Sequence, residues 1–177
     1  MGLTWHDEML STGSAYCPSI HKEPDVSFLP VRLPPGRSSE WPTLVVEVGG
    51  SELQAFFDRG ARRWLDGSNG DVKLVITVKI FPTRSVVKRW AVKRWATTDQ
   101  TRVSPRLGGQ ARACPVVTQT IIITKRSRQG KETRITGAPL TIPFDDLFIR
   151  PPRGNETNFE FDQNNLERWA HSAWAMF

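Results

Sequence analysis

A chain of 177 residues with 38% apolar residues, seven Trp and nine Phe has material for one packed domain and too much of it for a disordered chain. Its formal charge is +6. No apolar run approaches the ~18 residues of a membrane span, and the acidic Asp7 and Glu8 with no apolar stretch around them argue against a signal peptide. The expectation is an intracellular protein, cytoplasmic or nuclear, with no membrane partner. Cys17 and Cys114 match no metal-ligand spacing and read as thiols, with a single disulfide left open.

Residues 1–22 are weakly patterned and read as a flexible arm, with residues 23–177 as one domain. A short strand is expected over 25–31, then a Pro/Gly/Ser loop over 33–39. Residues 43–48, an apolar run interrupted by Glu47, read as a strand buried on both faces. Gly49 and Gly50 break it. Ser51 is the expected N-cap of a helix to about residue 65, with Glu52 in its first turn. Leu53, Phe56, Phe57, Ala61, Trp64 and Leu65 fall on one helical face, and Gly60 weakens the helix. A turn over 66–70 ends it.

Residues 72–80 are rich in β-branched side chains and read as a strong strand. Residues 86–97 carry a near-repeat in which Trp90 and Trp95 are five apart, which suggests a strand with a bulge. A Gly/Arg/Pro-rich loop precedes a strand over 116–125. A short strand over 140–142 leads into a helical turn. Asn164 and Glu167 resemble a capping box that opens a terminal helix with Leu166, Trp169, Ala170, Ala173, Trp174 and Phe177 on one stripe. The fold class is α/β (α+β): a mixed, partly antiparallel β-sheet flanked by helices.

The charge is unevenly spread. Residues 84–134 hold thirteen Lys/Arg against two acids, and the rest holds eleven against sixteen. A basic middle on an acidic frame suits a polyanion such as nucleic acid. Lys88, Arg89, Lys93 and Arg94 could hold phosphates while Trp90 and Trp95 stack bases; solvated strand faces over a Trp core are the plainer alternative. A homodimer is also compatible with the sequence.

The sharpest feature is Glu47. A carboxylate in an apolar strand has to be paired, protonated or metal-bound, because burying an isolated charge is very costly. With Asp25 at the start of a neighbouring strand, it suggests a site for Mg²⁺ or Mn²⁺, which take oxygen ligands and commonly one or two protein carboxylates. A nearby cation would stabilise charge on a scissile phosphate; Lys73, Lys79, Arg59, Arg62 and Arg63 are candidates. His6, His21 and His171 form no cluster. Gly49-Gly50 lacks the lysine of a phosphate-binding loop and reads as a tight turn.

Residues 23–28, 41–49, 61–65 and 69–76, with Pro24-Asp25 and Val46-Glu47-Val48 at their centres, together resemble a family of uncharacterised fungal proteins; residues 140–152 and 166–169 resemble its C-terminal signature. More distantly, the Pro-Asp and Val-Glu-Val pattern is similar to the bacterial Uma2-type members of the PD-(D/E)XK restriction-endonuclease-like superfamily. That resemblance implies a restriction-endonuclease-like core, Asp25 and Glu47 as metal ligands and catalytic residues, and nuclease (hydrolase) activity with magnesium. Two positions depart from the pattern. The superfamily's lysine two residues after the acid is Gly49 here, which shifts the basic role to Arg59 or Arg62 on the helix. The acid that the fungal proteins carry before Ala61-Arg62 is Gly60, with Asp58 two residues earlier.

Two functions therefore stand open. One is a Mg-dependent nuclease, or a catalytically degenerate relative, using Asp25, Glu47, Arg59, Arg62 and Lys73. The other is a non-enzymatic binding module whose 84–134 region holds nucleic acid or an acidic protein, with Glu47 in a structural ion pair with Arg62 or Lys73.

Overall fold

The computed structural model describes residues 8–14, 16–50, 53–81, 87–98, 114–126 and 133–174. Among them the chain forms a seven-stranded mixed sheet, a two-stranded hairpin and three α-helices. The strands are β1 (Met9–Ser11), β2 (Val26–Pro30), β3 (Leu44–Gly49), β4 (Leu74–Phe81), β5 (Val87–Thr98), β6 (Cys114–Arg126) and β7 (Thr133–Thr136), and they lie in the sheet in sequence order. Every neighbouring pair is antiparallel except β3 and β4, which are parallel and joined by helix α1 (Gln54–Gly67). A parallel pair needs a long crossover, and α1 is that crossover. The second hairpin pairs β8 (Leu140–Ile142) with β9 (Phe159–Phe161), and α2 (Phe144–Phe148) and α3 (Gln163–Trp174) flank it.

Strand alternation sends side chains to two separate cores. Val45, Val75 and Trp95 point towards α1, where they meet Ala61, Trp64 and Leu65 together with Cys17, Ile20 and Trp41. Leu44, Leu74, Ile76, Ile121 and Ile123 point the other way and are covered by Leu140, Phe144, Phe148, Leu166 and Trp174. Each buried Val, Leu, Ile or Phe among them contributes roughly 1.5–3 kcal/mol of burial. Glu47 shares the parity of Val45 and so faces α1.

The described part of the expected N-terminal arm is built into the domain. β1 is the edge strand, Cys17 and Ile20 belong to the α1-side core, and a 3-10 turn (Pro18–Ile20) packs on the end of α1. Gly67 makes that contact close: a Cβ there would lie 2.6 Å from Ile20 Cγ2. Cys17 and Cys114 are thiols.

Helix α1 starts later than expected. Its N-cap is Leu53, without a side-chain cap; Ser51 and Glu52 lie outside the described residues. The stripe is also shorter than the periodicity implies. Phe57, Ala61, Trp64 and Leu65 are buried, but Leu53 and Phe56 are 68% and 57% exposed. The first turn of α1 lies near the C-terminal end of β3.

The irregularity expected near Trp95 exists, but its extra residue is on the partner strand. Arg94 pairs with Gln119 and Trp95 with Val117, leaving Thr118 unmatched on β6. The cap of α3 lies two residues before the expected one: Asp162 and Asn165, not Asn164 and Glu167, each accept a hydrogen bond from the other's backbone N–H (2.8 and 3.2 Å). Phe177 lies outside the described residues.

Two side chains tie the far face together. Gln119 donates to the carbonyls of Gly137 and Pro139 and accepts from Thr141 N–H, filling the side of β6 beyond β7. Arg150 forks onto both oxygens of Glu156 (2.6 and 2.8 Å), donates to Glu8 (2.8 Å) and lies over the rings of Phe144 and Phe148. No helix among the described residues is long and apolar enough to cross a membrane.

Candidate functional site

β2 and β3 are antiparallel with Val26 opposite Val46. Continuing that register by one step places Asp25 opposite Glu47. Opposed residues on antiparallel strands project from the same face with Cβ atoms ~5 Å apart. The two acids line one cleft of about 250 Å³ together with Lys22, Val48, Phe56, Phe57 and Gly60. The cleft opens near the C-terminal end of β3, beside the first turns of α1. That is where open sheets with crossover helices commonly bind ligands.

Glu47 is half-buried, its side chain 14% exposed. Oε1 accepts a hydrogen bond from Lys22 Nζ at 2.5 Å and one from the indole Nε1–H of Trp64 at 2.5 Å. Trp64 is fully buried, so the indole fixes the direction of the carboxylate. Lys22 Nζ also lies 5.7 Å from the centre of the Trp64 ring, within cation–π range. Among the described residues Oε2 of Glu47 has no hydrogen-bond partner. Asp25 is exposed, and its Oδ2 accepts the backbone N–H of Val48 at 2.6 Å. That bond ties the start of β2 to the outer end of β3.

The expected ion-pair partners of Glu47, Arg62 and Lys73, are not its partners. Lys22 is. Lys22 comes from the short segment just before β2, held by a bridge between Cys17 and Lys22. Gly60 gives it room. A Cβ at residue 60 would lie 3.5 Å from Lys22 Cε and 3.8 Å from Nζ. No apolar period or motif marks Lys22 in the sequence; its one clue is that it lies three residues before Asp25.

The remaining candidates are dispersed. Lys73 precedes β4 at the opposite end from the cleft, and its Nζ donates to the Gly70 carbonyl at 2.6 Å. Arg62 lies over the Trp95 ring, on the β5 side of α1. Arg59 is nearer the cleft, with its guanidinium 5.7 Å from the centre of the Phe56 ring. Lys79 is the strand partner of Gly49, the position where the resemblance wants a lysine. It is buried, and its Nζ donates to the Gly50 carbonyl at 2.5 Å and lies 5.4 Å from the Phe57 ring centre.

The expected nucleic-acid patch on β5 does not hold together among the described side chains. Lys93 points to the α1 side and pairs with Asp58 (3.1 Å). Arg94 points to the other side, where it donates to Thr118 (3.0 Å) and to the Thr141 carbonyl. Trp95 is 2% exposed and donates its indole N–H to Thr77 (3.3 Å), so it is core and offers no face to a base. The cause is the strand itself, which sends successive residues to opposite faces. The side chains of Lys88, Arg89 and Trp90, and most of the rest of the basic segment, lie outside the described residues.

Asp25 and Glu47 supply hard oxygen donors on adjacent strands, which fits a divalent cation that retains several waters. Among the described residues no group of three or more His, Cys, Asp or Glu side chains converges. No family model, no curated protein and no solved structure matches this chain.

Proposed function

We propose that this chain has a restriction-endonuclease-like core and that its cleft hydrolyses phosphodiesters. The observation that carries the reading is the meeting of Asp25, Glu47 and Lys22 in one opening, with the acids opposed across β2 and β3. Asp25 and Glu47 would hold Mg²⁺ or Mn²⁺. Such a cation, when bound, polarises a phosphate and makes its water a better nucleophile.

The chain's own groups have separate tasks. Trp64 holds the Glu47 carboxylate in one orientation, leaving Oε2 directed away from that bond. The Val48 N–H does the same for Asp25. Lys22 carries the positive charge of the cleft, and its ammonium is placed to neutralise a phosphate oxygen as negative charge builds there. It takes the part that the sequence assigns to Arg59, Arg62 or Lys73.

A second reading rests on the same contacts. Oε1 of Glu47 is already held twice, and the helix offers Gly60 in place of a third acid. On that reading Lys22, Glu47 and Trp64 form a structural triad in a descendant that binds without cutting.

Incubating plasmid, single-stranded DNA and RNA with Mg²⁺ or Mn²⁺ separates the two. Cleavage by the wild type that Glu47→Ala and Asp25→Asn abolish supports hydrolysis at this cleft. Folded wild-type protein that cuts none of the three overturns it and leaves the structural triad.

A further inference from the structure

The rim of the cleft carries apolar surface that the fold does not use. Phe56 lines the cleft and is 57% exposed. Leu53, 68% exposed, is the N-cap of α1, and Val48, 43% exposed, is at the outer end of β3. Phe56 lies at the edge of the buried stripe of α1, about 100° round the helix from Phe57, and both it and Leu53 face out. A large aromatic left in water on the wall of a polar cleft is the informative kind of exposure.

The rim also carries a cation on its helix side: Arg59 is exposed on α1. Arg59 lies over the Phe56 ring, and Lys22 is inside the cleft. An aromatic ring interleaved with cations, beside two carboxylates suited to a phosphate-bound metal, matches a polyanion whose repeating unit has both a phosphate and a flat ring. A duplex hides its rings in the stack; a single strand presents them.

We propose that Phe56 is a stacking platform for an unpaired nucleobase, and that the cleft therefore takes single-stranded nucleic acid, with Arg59 on the adjoining phosphate. The proposal rests on the phosphodiester reading of the cleft, but the contact it names does not need metal or cleavage.

The test is fluorescence anisotropy in EDTA, with a labelled thymidine strand of about 12 nucleotides, an abasic strand of the same length and the corresponding duplex. Wild type should bind the thymidine strand more tightly than either control. Phe56→Ala should weaken that binding by about 5- to 150-fold, down to the abasic level, because stacking on one aromatic accounts for that range. Phe56→Tyr should keep it, and abasic binding should be equal in wild type and Phe56→Ala. Equal affinity for thymidine and abasic strands overturns the proposal, as does a Phe56→Ala variant that binds like wild type, or a wild type that binds no strand. A concentration-dependent dimer that Phe56→Ala dissolves, with no strand binding, would instead assign the patch to a second copy of this chain. The assay in EDTA reads the stacking contact without metal or cleavage. Intact stacking without any Mg²⁺- or Mn²⁺-dependent cutting by wild type would therefore sink the hydrolysis reading alone.

Discussion

Two cation–carboxylate clusters sit on this molecule at similar depth and have been finished differently. Lys22 and Arg150 are 24% and 22% exposed at the side chain. Arg150 uses both oxygens of Glu156, adds Glu8 and covers two phenylalanine rings. The Arg153 N–H completes the shell of Glu156 at 2.6 Å. Among the described residues only one oxygen of Glu47 is used, and Asp25 opposite it is bound once, by a backbone N–H. A planar fork that fills both carboxylate oxygens closes a cluster. A lysine, a point charge on a flexible stem, leaves lone pairs open. The first cluster is a clasp that joins the N-terminal strand to the C-terminal segment. The second has capacity left for a ligand.

The largest effects should come from breaking the open cluster. Glu47→Ala should remove metal-dependent cleavage altogether, while Arg150→Ala should leave cleavage intact and lower the melting temperature. Cutting assays and thermal melts on the two variants would test this crossing of effects directly; a loss of cleavage in both would mean the clusters do not differ in role.

Trp64→Phe probes the second support of Glu47. It removes the indole donor, and the loss of a hydrogen bond to a charged group costs about 2 kcal/mol. Urea denaturation should report a drop of that order, with cleavage reduced further than Lys22→Arg reduces it. No change in denaturation midpoint would mean that the indole does not hold the carboxylate.

The clasp should reveal itself in acid. The hydrogen bonds from Arg150 hold the Glu156 carboxyl at about 2, well below its usual 4.5. A carboxyl depressed in the folded state stabilises the fold fully above its unfolded value, and that contribution is lost as the pH falls from about 4.5 towards 2. Melting temperature followed through this window should fall less steeply in Glu156→Gln than in wild type. Parallel curves would show that the clasp adds nothing to stability.

The smallest effect is expected at Gly60. Alanine there gains about 0.5–1 kcal/mol of helix propensity, and its Cβ would meet Lys22 at ordinary van der Waals distance. The melting temperature should rise by a few degrees. A fall would mean that the neighbouring lysine cannot give way.

The main strands and α1 were legible in the sequence because β-branched runs and a helical stripe are local signals. β4 is expected over 72–80 and found as Leu74–Phe81. β1, β7 and β9 escaped because three or four residues carry little period; β8, equally short, was legible in its Leu140-Thr141-Ile142 alternation. Glu47 and Asp25 were legible as chemistry, since a charge inside an apolar run is conspicuous. Lys22 was not, because its meaning depends on where Cys17 and the 3-10 turn carry the chain. Phe56 misled because it sits at the edge of the apolar stripe, about 100° from Phe57, where period alone does not decide burial. The Lys93, Arg94 and Trp95 cluster read as one patch because neighbours in sequence are easily taken for neighbours on a surface, which a strand denies.

The order of strands in the sheet has a consequence for life in a crowded cell. Its long members, β5 and β6, are interior, and its rims are the three-residue β1 and the four-residue β7. Where β6 runs past β7, the Gln119 amide holds the following segment beside it through Gly137, Pro139 and Thr141. An invading strand from another molecule thus meets rims of only three and four strand residues at β1 and β7. Short, plugged edges of this kind discourage the edge-to-edge growth that leads to aggregates.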